Sequence, residues 1–155
     1  MTDRELLRHL LAVLAYRGGK SVRGARPEFA VYDTGGGQTP LKILAHLGDL
    51  LDWALTQVRG QSRWVPAAPS SWEEQVQRFH ASLAALDAHL AADAPVLCDA
   101  RRLLAGPLAD ALTHVGQLMM LRRMSGDPVQ GENYFVADIV AGRVGPEQAA
   151  PVKPF

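Results

Sequence analysis

The chain has 155 residues, 48% hydrophobic and 21% charged, a balance that suits one globular domain with a real core and excludes a disordered chain. Sixteen basic residues offset sixteen acidic ones, so no net positive field draws in a nucleic acid. One cysteine, Cys98, permits neither an internal disulfide nor a thiolate metal cage, and no apolar run approaches the roughly 20 residues that cross a bilayer.

The first helix is expected over residues 3–18. Leu6, Leu7, Leu10, Leu11 and Leu14 recur at three- and four-residue spacing, which makes one apolar face. Thr2 or Asp3 can cap its start, and Gly18-Gly19 is read as its end. The residues that open the chain lack the basic start and apolar stretch of a secretory signal, so the expected location is the cytoplasm, with no membrane partner. Arg17, Lys20, Arg23 and Arg26 follow, either as a solvated loop or as a cradle for an anion. Residues 29–32 are the nearest thing to a strand, and Gly35-Gly36-Gly37 cuts them off.

The second helix is expected over 40–59. Thr39 is the N-cap, and Pro40 at the first helical position lacks only an amide that would be unpaired anyway. Ile43, Leu44, Leu47, Leu51, Ala54, Leu55 and Val58 form its buried face. The third helix, 71–92, opens on Ser71 and Glu74 at capping-box spacing. The link from 60 to 70 is long enough, at about 3.3 Å per residue, to run back along a helix. Helices two and three can therefore lie parallel, joined by a crossover.

The fourth helix, 107–125, carries a stripe of Leu108, Leu112, Val115, Met119 and Met124. A short helical piece over 99–104 precedes it, with Gly106-Pro107 as the break. Arg122 and Arg123 in its last turn suit the negative end of the helix dipole. The Gly- and Pro-rich tail, 126–155, is expected to pack on the surface of the helices, with a turn or two of helix within 132–138. Four such helices imply an all-α four-helix bundle.

Two pieces carry chemistry. Asp110 and His114 are four apart and so share one helix face, the spacing by which one helix offers two ligands to one metal ion. His46 on the second helix is the best third ligand. Asp49, one turn after His46, either orients its imidazole or faces solvent. Trp53 lies seven residues after His46 and either walls a pocket or joins the core. Gln117, three after His114, is a second neighbour of the site or simply a satisfied polar residue. His9, His80 and His89 read as solvent-side. Gly116 reads as a point of close helix approach, and the segment 131–135 either closes over the bundle mouth or packs with the tail. Cys98 has no context that marks a nucleophile, and no phosphate-binding loop or nucleophile elbow occurs.

At these residues the sequence resembles the DinB-like (DinB/YfiT-like) family of metalloenzymes. That family has a His on its second helix and an H-x-x-x-H-x-G-Q pattern on the last bundle helix. His46 matches the first position, and His114-Val115-Gly116-Gln117 matches the H-x-G-Q part, placing His114 at the last ligand position. Asp110 stands where the family has its other His. As a ligand, Asp110 makes a set of two imidazoles and one carboxylate, which leaves coordination positions open and favours Mn²⁺, Fe²⁺ or Ni²⁺, with Zn²⁺ also suited. Alternatively Asp110 is a first-turn carboxylate favoured by the helix dipole alone, and the site has degenerated.

The resemblance runs from the first helix to Asp127. It implies a divalent-metal-dependent enzyme, a thiol-dependent S-transferase or a hydrolase, acting on a small molecule, with a low-molecular-weight thiol as cosubstrate in the first case. The alternative is a non-catalytic, stress-associated binding domain that has kept the bundle and lost the metal. A homodimer is expected for a bundle of this kind.

Overall fold

The computed structural model describes residues 1–68 and 70–155. Four long helices, α1 (Asp3–Val22), α2 (Pro40–Val58), α3 (Trp72–Ala91) and α5 (Ala109–Met124), pack side by side. A one-turn helix, α4 (Ala100–Leu103), leads into α5, and short 3₁₀ turns occupy Pro27–Val31 and Tyr134–Val136. Among the described residues there is no strand, only one isolated bridge between Glu132 and Pro154 in the tail. The candidate strand at 29–32 therefore falls within a 3₁₀ turn, whose Phe29 is buried. No helix among the described residues is long and apolar enough to cross a membrane.

The expected caps form. Thr2 and Ser71 each close a capping box, with Glu5 and Glu74 respectively, and the Thr39 hydroxyl accepts the Lys42 amide at 3.4 Å. Each cap satisfies amides that a helix start leaves without partners, worth about 1 kcal/mol. Asp99 caps α4 through the Arg101 amide at 2.9 Å.

α1 runs one turn past its expected end, because Gly18 and Gly19 lie inside it. The reason is tertiary. A Cβ on Gly18 would stand 2.5 Å from Cζ of Phe79, so this glycine admits an aromatic ring of α3 rather than breaking the helix. Leu7, Leu11 and Leu14 are buried on α1, whereas Leu6 is 43% exposed. The core side of α5 is Ala111, Val115 and Leu118, with buried Leu108 just before it, and Met124, expected in the stripe, is exposed. Gly116 is exposed, with open space around it rather than a neighbouring helix. Each buried leucine contributes about 1.5–3 kcal/mol by leaving water, and the four helices bury theirs in one cluster.

Contacts along the helices give their directions. Arg4 near the start of α1 donates to the carbonyls of Leu90 and Ala92 at the end of α3, and Arg8 pairs with Asp87 at 2.8 Å, so α1 and α3 are antiparallel. Arg122 at the end of α5 donates to the carbonyls of Ser21 and Arg23 just where α1 ends, so α1 and α5 run the same way. Trp72, which starts α3, packs edge-on to Phe29 just before α2, and Leu97 beyond α3 bonds to the Val58 carbonyl at the end of α2. α2 and α3 are thus parallel, and the connection 60–70 is the crossover the spacing predicts. Gly60 opens it at φ +72°, and position 69 lies outside the described residues.

Arg78 of α3 ties this crossover to α2. Its guanidinium donates to Asp49 at 2.8 Å and Asp52 at 2.7 Å, while Asp49 also accepts the Ala67 amide of the crossover at 2.9 Å. The tail is held as firmly. Glu132 is buried and accepts from the Tyr16 hydroxyl at 2.9 Å and Lys20 at 2.7 Å, and Arg17 lies 4.4 Å over the Tyr134 ring. Arg23 donates to the Pro146 carbonyl. The basic cluster after the first helix therefore holds the tail instead of cradling an anion, and the segment around Glu132 lies on α1.

A candidate metal centre

α5 begins irregularly, and that start precedes two of the candidate ligands. Residues Leu104–Leu108 make a wide turn in which the Ala109 amide reaches back to the Leu104 carbonyl, five residues earlier. Gly106 leaves helical geometry (φ −88°, ψ −105°) and Pro107 has no amide to offer. Such π-type turns recur at functional sites. Immediately after it, the regular spacing of α5 stacks Asp110 and His114 on the face toward α2.

Across from them stands His46. Its Nε2 is 3.8 Å from Asp110 Oδ2, and His114 Nε2 is 3.5 Å from Asp110 Oδ1. The two imidazole rings meet edge to face with centroids 4.8 Å apart. One ligand atom from each of the three lies within 4.8 Å of the others. Metal–nitrogen and metal–oxygen bonds of about 2.0–2.2 Å place neighbouring ligand atoms about 3.3–3.5 Å apart in a tetrahedral set. The two short gaps run to different oxygens of Asp110, Oδ2 toward His46 and Oδ1 toward His114, so an ion held by one oxygen would draw the three side chains closer together. The group could hold a metal ion, and the spacing does not identify which.

Gln117 touches the set directly: its Oε1 lies 2.7 Å from His114 Nδ1. An amide oxygen only accepts, so His114 Nδ1 is the donor in this bond, and Nε2 is the nitrogen that faces Asp110. A ligand histidine commonly donates its other ring nitrogen in this way.

Of the other expected site residues, Asp49 falls elsewhere and Trp53 stays beside Asp110. Asp49 is buried against Arg78 and orients no imidazole. Trp53 lines a hollow of about 420 Å³ together with Leu50, Gly106 and Asp110. The aromatic neighbour of His46 is instead Trp64, on the crossover, with ring centroids 5.8 Å apart, and Trp53 packs edge-on to Trp64 at 5.9 Å. Only the crossover's path could have pointed to Trp64. His80, expected at the solvent, is buried where the tail covers it, with Nδ1 3.3 Å from the Val144 carbonyl, and burial pushes its pKa down. His89 is half-buried and 3.1 Å from the Pro95 carbonyl, while His9 is exposed as expected. Burial raises the pKa of the Cys98 thiol, with Asp99 adding to the effect, which keeps it a poor nucleophile.

A cavity of about 630 Å³ opens beside the pair of histidines. His46, His114 and Gln117 form one wall, Ile43, Met120 and Leu121 supply apolar surface, and Thr34, Gln38 and Lys42 complete it. No tail residue lines it. Comparison with protein-family models, with curated proteins and with solved structures finds no match for this chain.

Proposed function

We propose that the protein is a divalent-metal-dependent enzyme built on a four-helix bundle of the DinB/YfiT-like type, a thiol-dependent S-transferase or a hydrolase of a small electrophilic molecule. The observation that carries this reading is the convergence of His46, Asp110 and His114 from two helices, with the Gln117 amide oxygen on the far nitrogen of His114. A helix-dipole role for Asp110 needs neither imidazole beside it.

In this reading His46, Asp110 and His114 hold the ion, and the one carboxylate lowers the net charge of the site below that of three imidazoles. A divalent ion in such a site supplies Lewis acidity that lowers the pKa of a thiol or a water and makes it nucleophilic at neutral pH. Trp64 packs against His46 with Trp53 behind it, while the cavity receives the substrate. Three protein ligands leave positions open for it.

The test is metal content by mass spectrometry on untagged protein purified without chelator, compared with His114→Ala. About one ion per chain in the parent, absent from a folded variant, supports the reading and selects the metal for thiol-transfer and hydrolysis assays. A parent that takes up none of Mn²⁺, Fe²⁺, Ni²⁺ or Zn²⁺ overturns it.

A further inference from the structure

We infer that the cavity beside the histidines selects a small monoanionic substrate, a carboxylic acid with an apolar body, and that Lys42 is the residue that binds its carboxylate. The inference rests on the metal reading for the reacting end of the substrate, and on separate observations for the other end.

Lys42 precedes His46 by one turn of α2, so both face the same side. Among the described residues that line the cavity, Lys42 is the single lysine, arginine or acid. Its ammonium donates to the Gly37 carbonyl at 2.6 Å, which tethers it to the glycine loop and leaves two further N–H donors. Among the described residues no carboxylate pairs with it. The two nearest acids in sequence are engaged elsewhere: Asp49 with Arg78 at 2.8 Å, and Asp33 in accepting the amides of Gly35 at 2.9 Å and Gly37 at 3.0 Å. That turn sets the loop bearing Thr34 and Gln38, two neutral residues that line the cavity with Lys42.

The charge count selects the ligand. One ammonium with neutral hydrogen-bonding neighbours balances one negative charge, whereas a phosphate dianion is usually met by arginine or by several cations. Ile43, Met120 and Leu121 line the same cavity with no charge of their own, which suits a ligand with an apolar body beside its acid group.

The experiment loads the protein with Co²⁺ and titrates it with 3-mercaptopropionate and with its neutral amide, following cobalt–thiolate absorption. The acid is expected to bind about tenfold more tightly than the amide. Lys42→Met should abolish that preference while leaving cobalt uptake unchanged, and Lys42→Arg should keep most of it. Equal affinity for acid and amide, or a preference that survives in Lys42→Met, overturns the inference.

A metal-free arm separates the two ideas. Sodium hexanoate, but not hexanamide, should shift the backbone amide resonances of Thr34, Gln38 and Lys42, and should fail to do so in Lys42→Met. Failure of cobalt uptake with those shifts intact overturns the metal reading alone. Absent shifts with cobalt bound overturn the carboxylate site alone.

Discussion

Gln117 Oε1 lies 2.7 Å from His114 Nδ1, so an amide three residues along α5 holds the imidazole by its far nitrogen. Without that acceptor nothing on α5 holds the His114 ring by its Nδ1 edge. Gln117→Leu should weaken metal binding about 10- to 100-fold, the usual cost of losing such a partner. Gln117→Glu keeps an acceptor and should stay close to the parent. Competition against a chromophoric chelator measures both, and a leucine variant with parental affinity would remove Gln117 from the site.

Asp110 separates two roles by magnitude. Its side chain is 48% exposed and sits in the first turn of α5. A dipole role alone is worth about 0.3–1 kcal/mol. Asp110→Ala is therefore expected to lower stability by no more than about 1 kcal/mol in urea denaturation, and to lose the bound ion in the same preparation. Asp110→His should recover it. Full metal occupancy in the alanine variant would leave only the dipole role.

The buried Glu132 carboxylate predicts an alkaline limit to stability. Burial, then the bond to Glu132, pushes the Tyr16 pKa from 10.0 up to about 12. The folded state thus favours the neutral phenol. Its contribution is intact below about pH 10 and is lost as pH rises through about 12. Tyrosinate absorbance should show one of the three tyrosines ionising late, and Glu132→Gln should bring it earlier. Glu132→Ala, which strands Lys20 and Tyr16, should cost about 3 kcal/mol and expose the tail to protease. An unchanged denaturation midpoint in Glu132→Ala would show that the tail is held by other contacts.

Gly18 sets propensity against packing. Alanine in a helix interior is favoured over glycine by about 1 kcal/mol. Here its Cβ would press to within 2.5 Å of Phe79 Cζ, and overpacking costs about 1–3 kcal/mol. Gly18→Ala is expected to destabilise, and Gly18→Ala with Phe79→Leu to recover part of the loss. Equilibrium denaturation decides it, and a more stable single variant would show that the ring moves aside freely.

Local chemistry was legible from the sequence, and so was the pairing of elements that depends on length. Thr2–Glu5, Thr39 and Ser71–Glu74 act within one turn, so sequence spacing suffices to find them. The parallel crossover follows from how far 60–70 must reach. What could not be read depends on a distant partner. Gly18 and Gly19 stop a helix unless something such as Phe79 fills the space they leave. His80 reads as solvent-side until the tail brings Val144 over it. The basic cluster of α1 looks free until Glu132, more than a hundred residues later, takes Lys20.

The candidate site shows the same division. Asp110 and His114 share a helix, so spacing alone puts them on one face. Gln117 was suggested by its place in the H-x-G-Q pattern, but its bond to His114 is a geometric fact. Trp64 carries no motif, because its meeting with His46 depends on the course of the crossover. Asp49 sits at good spacing to serve His46, yet Arg78, on another helix, claims its carboxylate.

The placement of Trp64 has an optical consequence. Two of the chain's three tryptophans form a contiguous relay from Trp53 through Trp64 to the His46 ring. Indole emission from that pair is exposed to whatever occupies the imidazoles, and an open-shell ion there would drain it by short-range energy or electron transfer. The protein thus carries an intrinsic gauge of its own occupancy, readable in a cuvette without label, tag or substrate.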